Sequence, residues 1–171
     1  MRRLSVKALF AMTALGLVVF PGAAVAQQKT LKEQLIGTWL LVSIETMAKD
    51  GTKVSLFGAN PKGIIMFDAG GRYTQVQVRA DRPRFKSSNR LEGTPEENKA
   101  VLAGGVGQFG TWFVNEADKT ITYHQEAVVH NPNEEGTDST RVIILNGDEL
   151  KIRNPLTGDG GSAEQVLRRA K

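Results

Sequence analysis

The chain has 171 residues, a length that suits one domain, with 40% hydrophobic and 23% charged residues and no cysteine. This composition excludes collagen-like chains, disulfide-stapled scaffolds and coiled coils, and it is not that of a disordered chain. The formal net charge of +4 suggests a nucleic-acid or membrane-surface partner when it is taken alone.

The first 26 residues have the pattern of a secretory signal peptide. Arg2, Arg3 and Lys7 precede the uncharged stretch 8–20, and a small-x-small pattern ends at Ala26. The uncharged stretch is shorter than the roughly 20 residues that a membrane-spanning helix needs. We therefore predict cleavage after Ala26, export to the periplasm or the exterior, and no membrane span.

The predicted mature part, residues 27–171, is long enough to form a packed core without disulfides. Loss of the three basic residues of the signal lowers the net charge from +4 to +1. We therefore expect no nucleic-acid partner, and we expect the domain to be a monomer.

Short elements follow one another along the mature part. One short helix begins at the capping-box pair Thr30 and Glu33 and ends at Gly37, and a second runs from Pro95 to about Ala103. The predicted strands cover 38–46, 62–67, 72–79, 108–115, 119–130, 139–145, 149–154 and 163–169.

Eight strands with short hairpin connections predict an all-β fold. We expect an eight-stranded antiparallel up-and-down β-barrel with one or two short helices and room for one small ligand. The alternative is a flattened β-sandwich without a cavity.

Two patterns that often bind cofactors or metals do not fit here. Gly105, Gly107 and Gly110 match G-x-G-x-x-G, but a helix precedes them and a strand follows, the reverse of the nucleotide-binding order. His124 and His130 share one predicted strand at a separation of roughly 20 Å, too far for one metal ion. We predict no cofactor and no metal.

Residues 79–93, which we call the basic loop, concentrate positive charge. The loop contains Arg79, Arg82, Arg84, Lys86 and Arg90, with Asp81 as the one opposing charge before Arg90. It is either a solvated loop, a basic lip that steers an anionic ligand into the barrel, or a protein-interaction module.

His124 and Glu126 lie on the same face of a predicted strand, about 6.6 Å apart. Arg141 is placed on the next strand, where antiparallel pairing brings it near this pair. If the three side chains point inward, they form a polar-ligand site or an acid–base pair for proton transfer. The alternative is a solvent-facing ladder or a structural charge network.

Tyr73 and Gln75 complete the predicted ligand-binding set, since their strand alternates strictly. A shift of one residue in the assignment of faces would instead turn Val76 and Val78 into the cavity.

Several motifs resemble a known family. They are Gly37-Thr38-Trp39, Lys62 to Phe67, Gly71-Arg72-Tyr73, Gly110-Thr111-Trp112-Phe113, Thr120 to Glu126, Pro132-Asn133, Gly136-Thr137, Arg141 and Gly147 to Leu150. The first resembles the G-x-W signature of lipocalins and the wider calycins. The whole order resembles the bacterial and fungal lipocalin-like domain family over about residues 33–156.

This resemblance implies a calycin-type barrel with a central cavity that binds a small molecule. It also implies that Trp39 packs under an arginine near the last strand, either Arg168 or Arg169. Tyr123 departs from a His-His pair found in some members, which argues against a two-histidine site.

We therefore expect an exported protein that binds a small hydrophobic or amphipathic molecule in its barrel. One alternative is an isomerase or cyclase that uses His124 and Glu126 as acid and base inside the barrel. Another is a protein-interaction module that uses the basic loop.

Overall fold

Antiparallel strands form almost all of the molecule in a computed structural model that describes residues 29–155 and 160–171. The predicted signal peptide, residues 1–26, lies outside the described residues. The strands are β1 (Gly37–Met47), β2 (Lys53–Ser55), β3 (Lys62–Phe67), β4 (Arg72–Val78), β5 (Gly105–Asn115), β6 (Thr120–Val128), β7 (Asp138–Asn146), β8 (Glu149–Asn154) and β9 (Ser162–Arg169). The helices are α1 (Leu31–Leu35) and α2 (Pro95–Ala103), with single 3-10 turns at Arg90–Glu92 and Pro132–Glu134.

The sheet closes on itself. Its strand order is β2-β1-β3-β4-β5-β6-β7-β8-β9, and β1 also pairs with β9. β3 pairs with residues 37–40 of β1, and β2 pairs with residues 45–47 of the same strand. Eight strands therefore form the closed barrel, and β2 is an extra ninth strand. The predicted eight-stranded barrel is confirmed and the flattened sandwich is excluded.

Alternation along the strands places one set of side chains inside the barrel. In β4, for example, Tyr73, Gln75 and Gln77 are buried, while Arg72 and Val76 are exposed. The buried apolar residues form one cluster that includes Trp39, Ile65, Trp112, Leu150 and Leu167. This alternation is what a sheet with one buried face requires.

A β-bulge changes the register between β5 and β6. Phe109 pairs with Ala127 and Gly110 pairs with Gln125, which leaves Glu126 as the extra residue on β6. A Cβ atom at Gly110 would collide with the backbone carbonyl of His124. Gly110, the last glycine of the G-x-G-x-x-G match, therefore lets β5 and β6 approach closely at the bulge.

α1 covers one end of the barrel, which we call the closed end. The capping box of Thr30 and Glu33 is confirmed, and the Glu116 carboxylate accepts the backbone N–H groups of Leu31 and Lys32 at 2.9 and 3.0 Å. Leu35 on this helix is fully buried. We call the opposite end the open end, where residues 48–61, 79–104 and 129–137 connect the strands.

Two predicted strand boundaries change by more than one residue. β5 begins at Gly105 instead of 108, and β6 ends at Val128 instead of 130. His130 therefore lies in the connection after β6, because the chain bends at residues 129–130 and leaves the ladder. Across the described residues, the helices are all too short or too polar to cross a membrane.

Candidate functional site

A cavity of about 270 Å³ lies inside the barrel at the open end. Larger hollows of about 630 and 640 Å³ lie on the outside, beside the basic loop and beside α1. The inner cavity is lined by Ile44, Leu56, Gln75, Gln77, Val106, Gln108, Tyr123, Gln125, His130, Glu134, Ser139, Arg141, Ile152, Asn154 and Gln165. Side chains of β1 and of β4 to β9 line this cavity, so it is the candidate binding site.

Glutamine is the commonest residue in this lining. Gln77 is fully buried on β4, and its Nε2 donates to Gln165 Oε1 on β9 at 2.8 Å. A Cβ atom at Gly63 would lie 2.8 Å from Gln77 Cγ, so the glycine opposite makes room for this side chain. The Gln77–Gln165 bond joins side chains of two strands across the barrel interior.

A second amide network lies on the β5–β7 side. Gln125 Nε2 donates to Glu134 Oε2 at 3.1 Å and to Gln108 Oε1 at 3.4 Å, and Gln125 Oε1 accepts from Thr137 Oγ1 at 3.1 Å. Glu134 also accepts from Asn131 Nδ2 at 2.7 Å. This side of the cavity is therefore held by hydrogen bonds within the protein.

A partly buried arginine and two buried tyrosines lie inside the barrel. The rings of Tyr73 and Tyr123 are 4.7 Å apart, and burial raises the pKa of both hydroxyls, that of Tyr73 to about 12. Burial lowers the pKa of Arg141, which lies close enough that its charge counteracts part of the rise at both tyrosines. The cavity thus holds a cation in a poorly solvated setting.

Several buried polar atoms of this region lack a hydrogen-bond partner among the described residues. They are the hydroxyls of Tyr73 and Tyr123, Oε1 of Gln77 and Nδ1 of His130. Gln108 lies close enough to the Tyr73 hydroxyl to lower its pKa slightly, but no well-aligned bond joins them. Unpaired buried polar groups are costly to a fold and are found where a site serves a ligand.

Three of the predicted site residues lie inside. Tyr73 and Gln75 are 3% and 7% exposed, and Arg141 lines the same cavity as Gln75. Gln75 and Gln77 face inward and Val76 is exposed, which decides between the two faces of β4. The ligand-binding role of these residues stays a prediction.

His124 and Glu126 are exposed on the outer surface of the barrel. The expectation that they converge with Arg141 inside the barrel is therefore wrong. His124 Nδ1 is 2.8 Å from Asp138 Oδ1 on the outer surface, and Glu126 forms a two-bond ion pair with Arg72. The alternation of β6 explains this, since Tyr123 and Gln125 take the inward positions. Arg141 pairs with Ile121, on the inner face, and not with Glu126.

The acid–base pair of the isomerase hypothesis is therefore absent from the cavity. No group of three His, Asp or Glu side chains in the described ranges could hold a metal ion.

Four glutamines and His130 line the cavity although the sequence did not predict them as site residues. Gln77 alternates with Tyr73 and Gln75 on the inward face of β4, so assigning that face as the inner one would also have predicted Gln77. Gln108 and Gln125 flank the bulge, and Gln165 is placed by the closing pairing of β9 with β1. Those positions depend on register, which a single sequence does not give.

The basic loop connects β4 to α2 at the open end. Arg79 pairs with Asp81 at 3.0 Å, and the backbone N–H of Lys86 donates to Glu97 on α2 at 3.0 Å. The loop is folded against the helix, and whether it interacts with a partner stays a prediction.

At the closed end, the guanidinium of Arg169 lies 4.2 Å from the ring centre of Trp39. Arg169 donates to the carbonyls of Gln34 and Ile36, and Trp39 Nε1 donates to the carbonyl of Leu35 at 2.8 Å. Arg168, the alternative partner, is exposed. Residues 36–171 match the family described as "Lipocalin-like domain".

The chain belongs to the lipocalin-like domain family. No curated protein matches it. In this lipocalin-like domain the Trp–Arg contact seals the closed end, which leaves the open end as the entrance to the cavity.

Proposed function

We propose that this lipocalin-like domain binds one small amphipathic molecule in the open-end cavity. The observation that carries the proposal is the set of buried polar atoms of Gln77, Tyr123 and His130, which have no hydrogen-bond partner among the described residues and belong to residues that line a space of about 270 Å³. A ligand with hydrogen-bonding groups would supply the missing partners.

The lining favours a ligand that is amphipathic more than one that is wholly apolar. Ile44, Leu56, Val106 and Ile152 provide apolar wall, while amides and the arginine provide polar wall. The volume is just below the usual range for ligand pockets, about 300–1,000 Å³, so the ligand should be small.

A cavity-filling variant tests the proposal. Ser139 lines the cavity, whereas Ile144 on the same strand is exposed on the outer face. We expect Ser139→Phe to abolish binding and Ile144→Phe to leave it unchanged, measured by NMR titration with hexanoate, 3-phenylpropanoate and the amides of both. Equal shifts in Ser139→Phe and the unaltered protein, or no binding of any probe, would contradict the proposal.

We also propose that the domain acts outside the cytoplasm after removal of residues 1–26. The support is the basic start, the uncharged stretch and the small-x-small pattern before Gln27. Intact mass measurement of protein from the exported fraction should give a chain that begins at Gln27. Recovery of the full-length chain from the cytoplasm would contradict export.

A further inference from the structure

Arg141 has few partners for a partly buried arginine. Its one hydrogen bond among the described residues runs from Nη1 to the neighbouring Thr140 carbonyl at 2.9 Å. It takes part in none of the ion pairs within 4 Å among the described residues. Three other arginines of the barrel strands differ, since Arg72, Arg153 and Arg169 each pair with an acid.

A cation in this position is expensive unless something neutralises it, because desolvation disfavours a charge that has no partner. The guanidinium presents a planar fork of N–H donors, which suits the two oxygens of a carboxylate. Most of that fork is not used by the protein.

Two further donors lie in the same part of the barrel interior. Tyr123 lines the cavity together with Arg141, and the ring of Tyr73 lies 4.7 Å from the ring of Tyr123. Both hydroxyls are buried without a partner among the described residues, and the charge of Arg141 acts on both. Their raised pKa values keep both hydroxyls protonated near neutral pH, so both can donate to an anionic oxygen.

The cavity also contains one acid, Glu134. Its carboxylate already accepts the amides of Gln125 and Asn131, and it lies on the 3-10 turn Pro132–Glu134 at the open end. A ligand anion would therefore be attracted to Arg141 and repelled by Glu134, which orients it with its charge toward Arg141.

We propose that Arg141, with the hydroxyls of Tyr73 and Tyr123, binds the carboxylate of a small organic acid. The apolar part of the acid then lies against Ile44, Leu56 and Ile152 toward the entrance. This inference rests on the proposed function and adds the chemical class of the ligand.

Matched acids and amides test the inference, since each pair differs in charge and hardly in shape. We expect hexanoate and 3-phenylpropanoate to bind at least about tenfold more tightly than hexanamide and 3-phenylpropanamide, because charge-assisted hydrogen bonds are the stronger kind. Arg141→Gln should remove this preference and leave amide binding within about twofold. Arg168→Gln, on the exposed outer face, is the control and should change nothing.

Glu134→Gln should raise the affinity for the acids, whereas Arg141→Gln should lower it. Removing the repelling charge while keeping an acceptor should tighten acid binding about two- to fivefold, with no change for the amides. If Arg141→Gln does not fold, the acid–amide comparison in the unaltered protein and the Glu134→Gln result still decide the question.

The outcomes separate the two proposals. If amides bind as tightly as acids, or if Arg141→Gln weakens acids and amides equally, the carboxylate site is wrong while the ligand cavity stands. If none of the four probes binds the unaltered protein, both proposals are contradicted.

Discussion

The two ends of this barrel are formed by the same alternating strands, yet they differ in how many of their buried polar groups have hydrogen-bond partners. At the closed end, Trp39 and Arg169 donate hydrogen bonds to carbonyls of α1 and its C-terminus, and Trp112 Nε1 is the buried exception without a partner among the described residues. In the open-end cavity, buried atoms of Tyr123, Gln77 and His130 find no partner in the part of the chain that the structure describes. The closed end is therefore built mainly for stability, and the open end gives up some stability to keep polar groups available.

Charge shows the same contrast. Arg169 at the closed end stacks on Trp39 and pairs with Asp148 at 3.5 Å. Arg141 in the cavity has no acid within ion-pair distance among the described residues, and the charge of Glu134 acts on it only from farther away. The difference teaches that an inward arginine is structural when carbonyls, an aromatic ring and an acid surround it, and is available to a ligand when they do not.

The largest effect should come from breaking the closed end. Trp39→Ala removes a fully buried indole and its hydrogen bond to Leu35, and should lower the free energy of unfolding by about 3–5 kcal/mol. Urea denaturation followed by circular dichroism measures this. Phe113→Ala, at a 55% exposed outer position, is the control and should cost less than about 1 kcal/mol. If Trp39→Ala lowers the free energy of unfolding by less than about 1 kcal/mol, the closed end does not contribute the stability assigned to it.

The next prediction concerns close packing at the open end. Gly63→Ala would place a Cβ atom 2.8 Å from Gln77 Cγ and 3.0 Å from the carbonyl oxygen of Val76, and should cost about 1–3 kcal/mol. Gly107→Ala meets Val129 at 3.4 Å, an ordinary contact, and serves as the control in the same denaturation experiment. Equal stability of the two variants would show that the open end is loosely packed.

Alkaline titration should reveal the buried tyrosines, which are the only two in the chain. The pKa of Tyr73 is raised above its unfolded value of 10.0 to about 12, so its contribution to stability is complete below about pH 10 and is lost as the pH rises through 12. Two pKa units correspond to at most about 2.7 kcal/mol, and water in the cavity reduces this to about 1–2 kcal/mol.

Phenolate absorbance should accordingly stay flat through pH 10 and rise only near pH 12 or on unfolding. A normal titration of either tyrosine near pH 10 would show that the open end is fully wetted.

The smallest effect should come from the outer face. His124→Ala and Glu126→Gln alter exposed pairs with Asp138 and Arg72, and each should change the free energy of unfolding by less than about 1 kcal/mol. Probe binding should be unchanged in both variants, because neither residue lines the cavity. A tenfold loss of binding in either variant would contradict the assignment of these residues to the outer face.

Much of the fold could be predicted from local patterns. The capping box at Thr30 located the first helix, since a side chain and a backbone group satisfy each other within four residues, and Pro95 at the first helical position located the second. The strands were recognised by alternation and by turns such as Asn146-Gly147-Asp148. β2 was missed because Lys53, Val54 and Ser55 are all exposed and show no buried face.

The candidate site was predicted less well. Tyr73, Gln75 and Arg141 lie inside, while His124 and Glu126 lie outside, although the same rule of alternation was applied to all of them. A single strand shows which residues share a face, but not which face points inward. The bulge opposite Gly110 and the closing pairing of β9 with β1 add register changes that no local pattern reveals.

The sequence by itself determined the strand content, the helix caps, the absence of disulfides and the signature that begins with Gly37-Thr38-Trp39, because each depends on residues close together in the chain. Only the tertiary structure decided that Gln77 meets Gln165, that Arg169 instead of Arg168 covers Trp39, and that Arg141 shares a cavity with Tyr123. These contacts join residues far apart in sequence. They become fixed only when the barrel closes and the burial of one face sets the register of every strand.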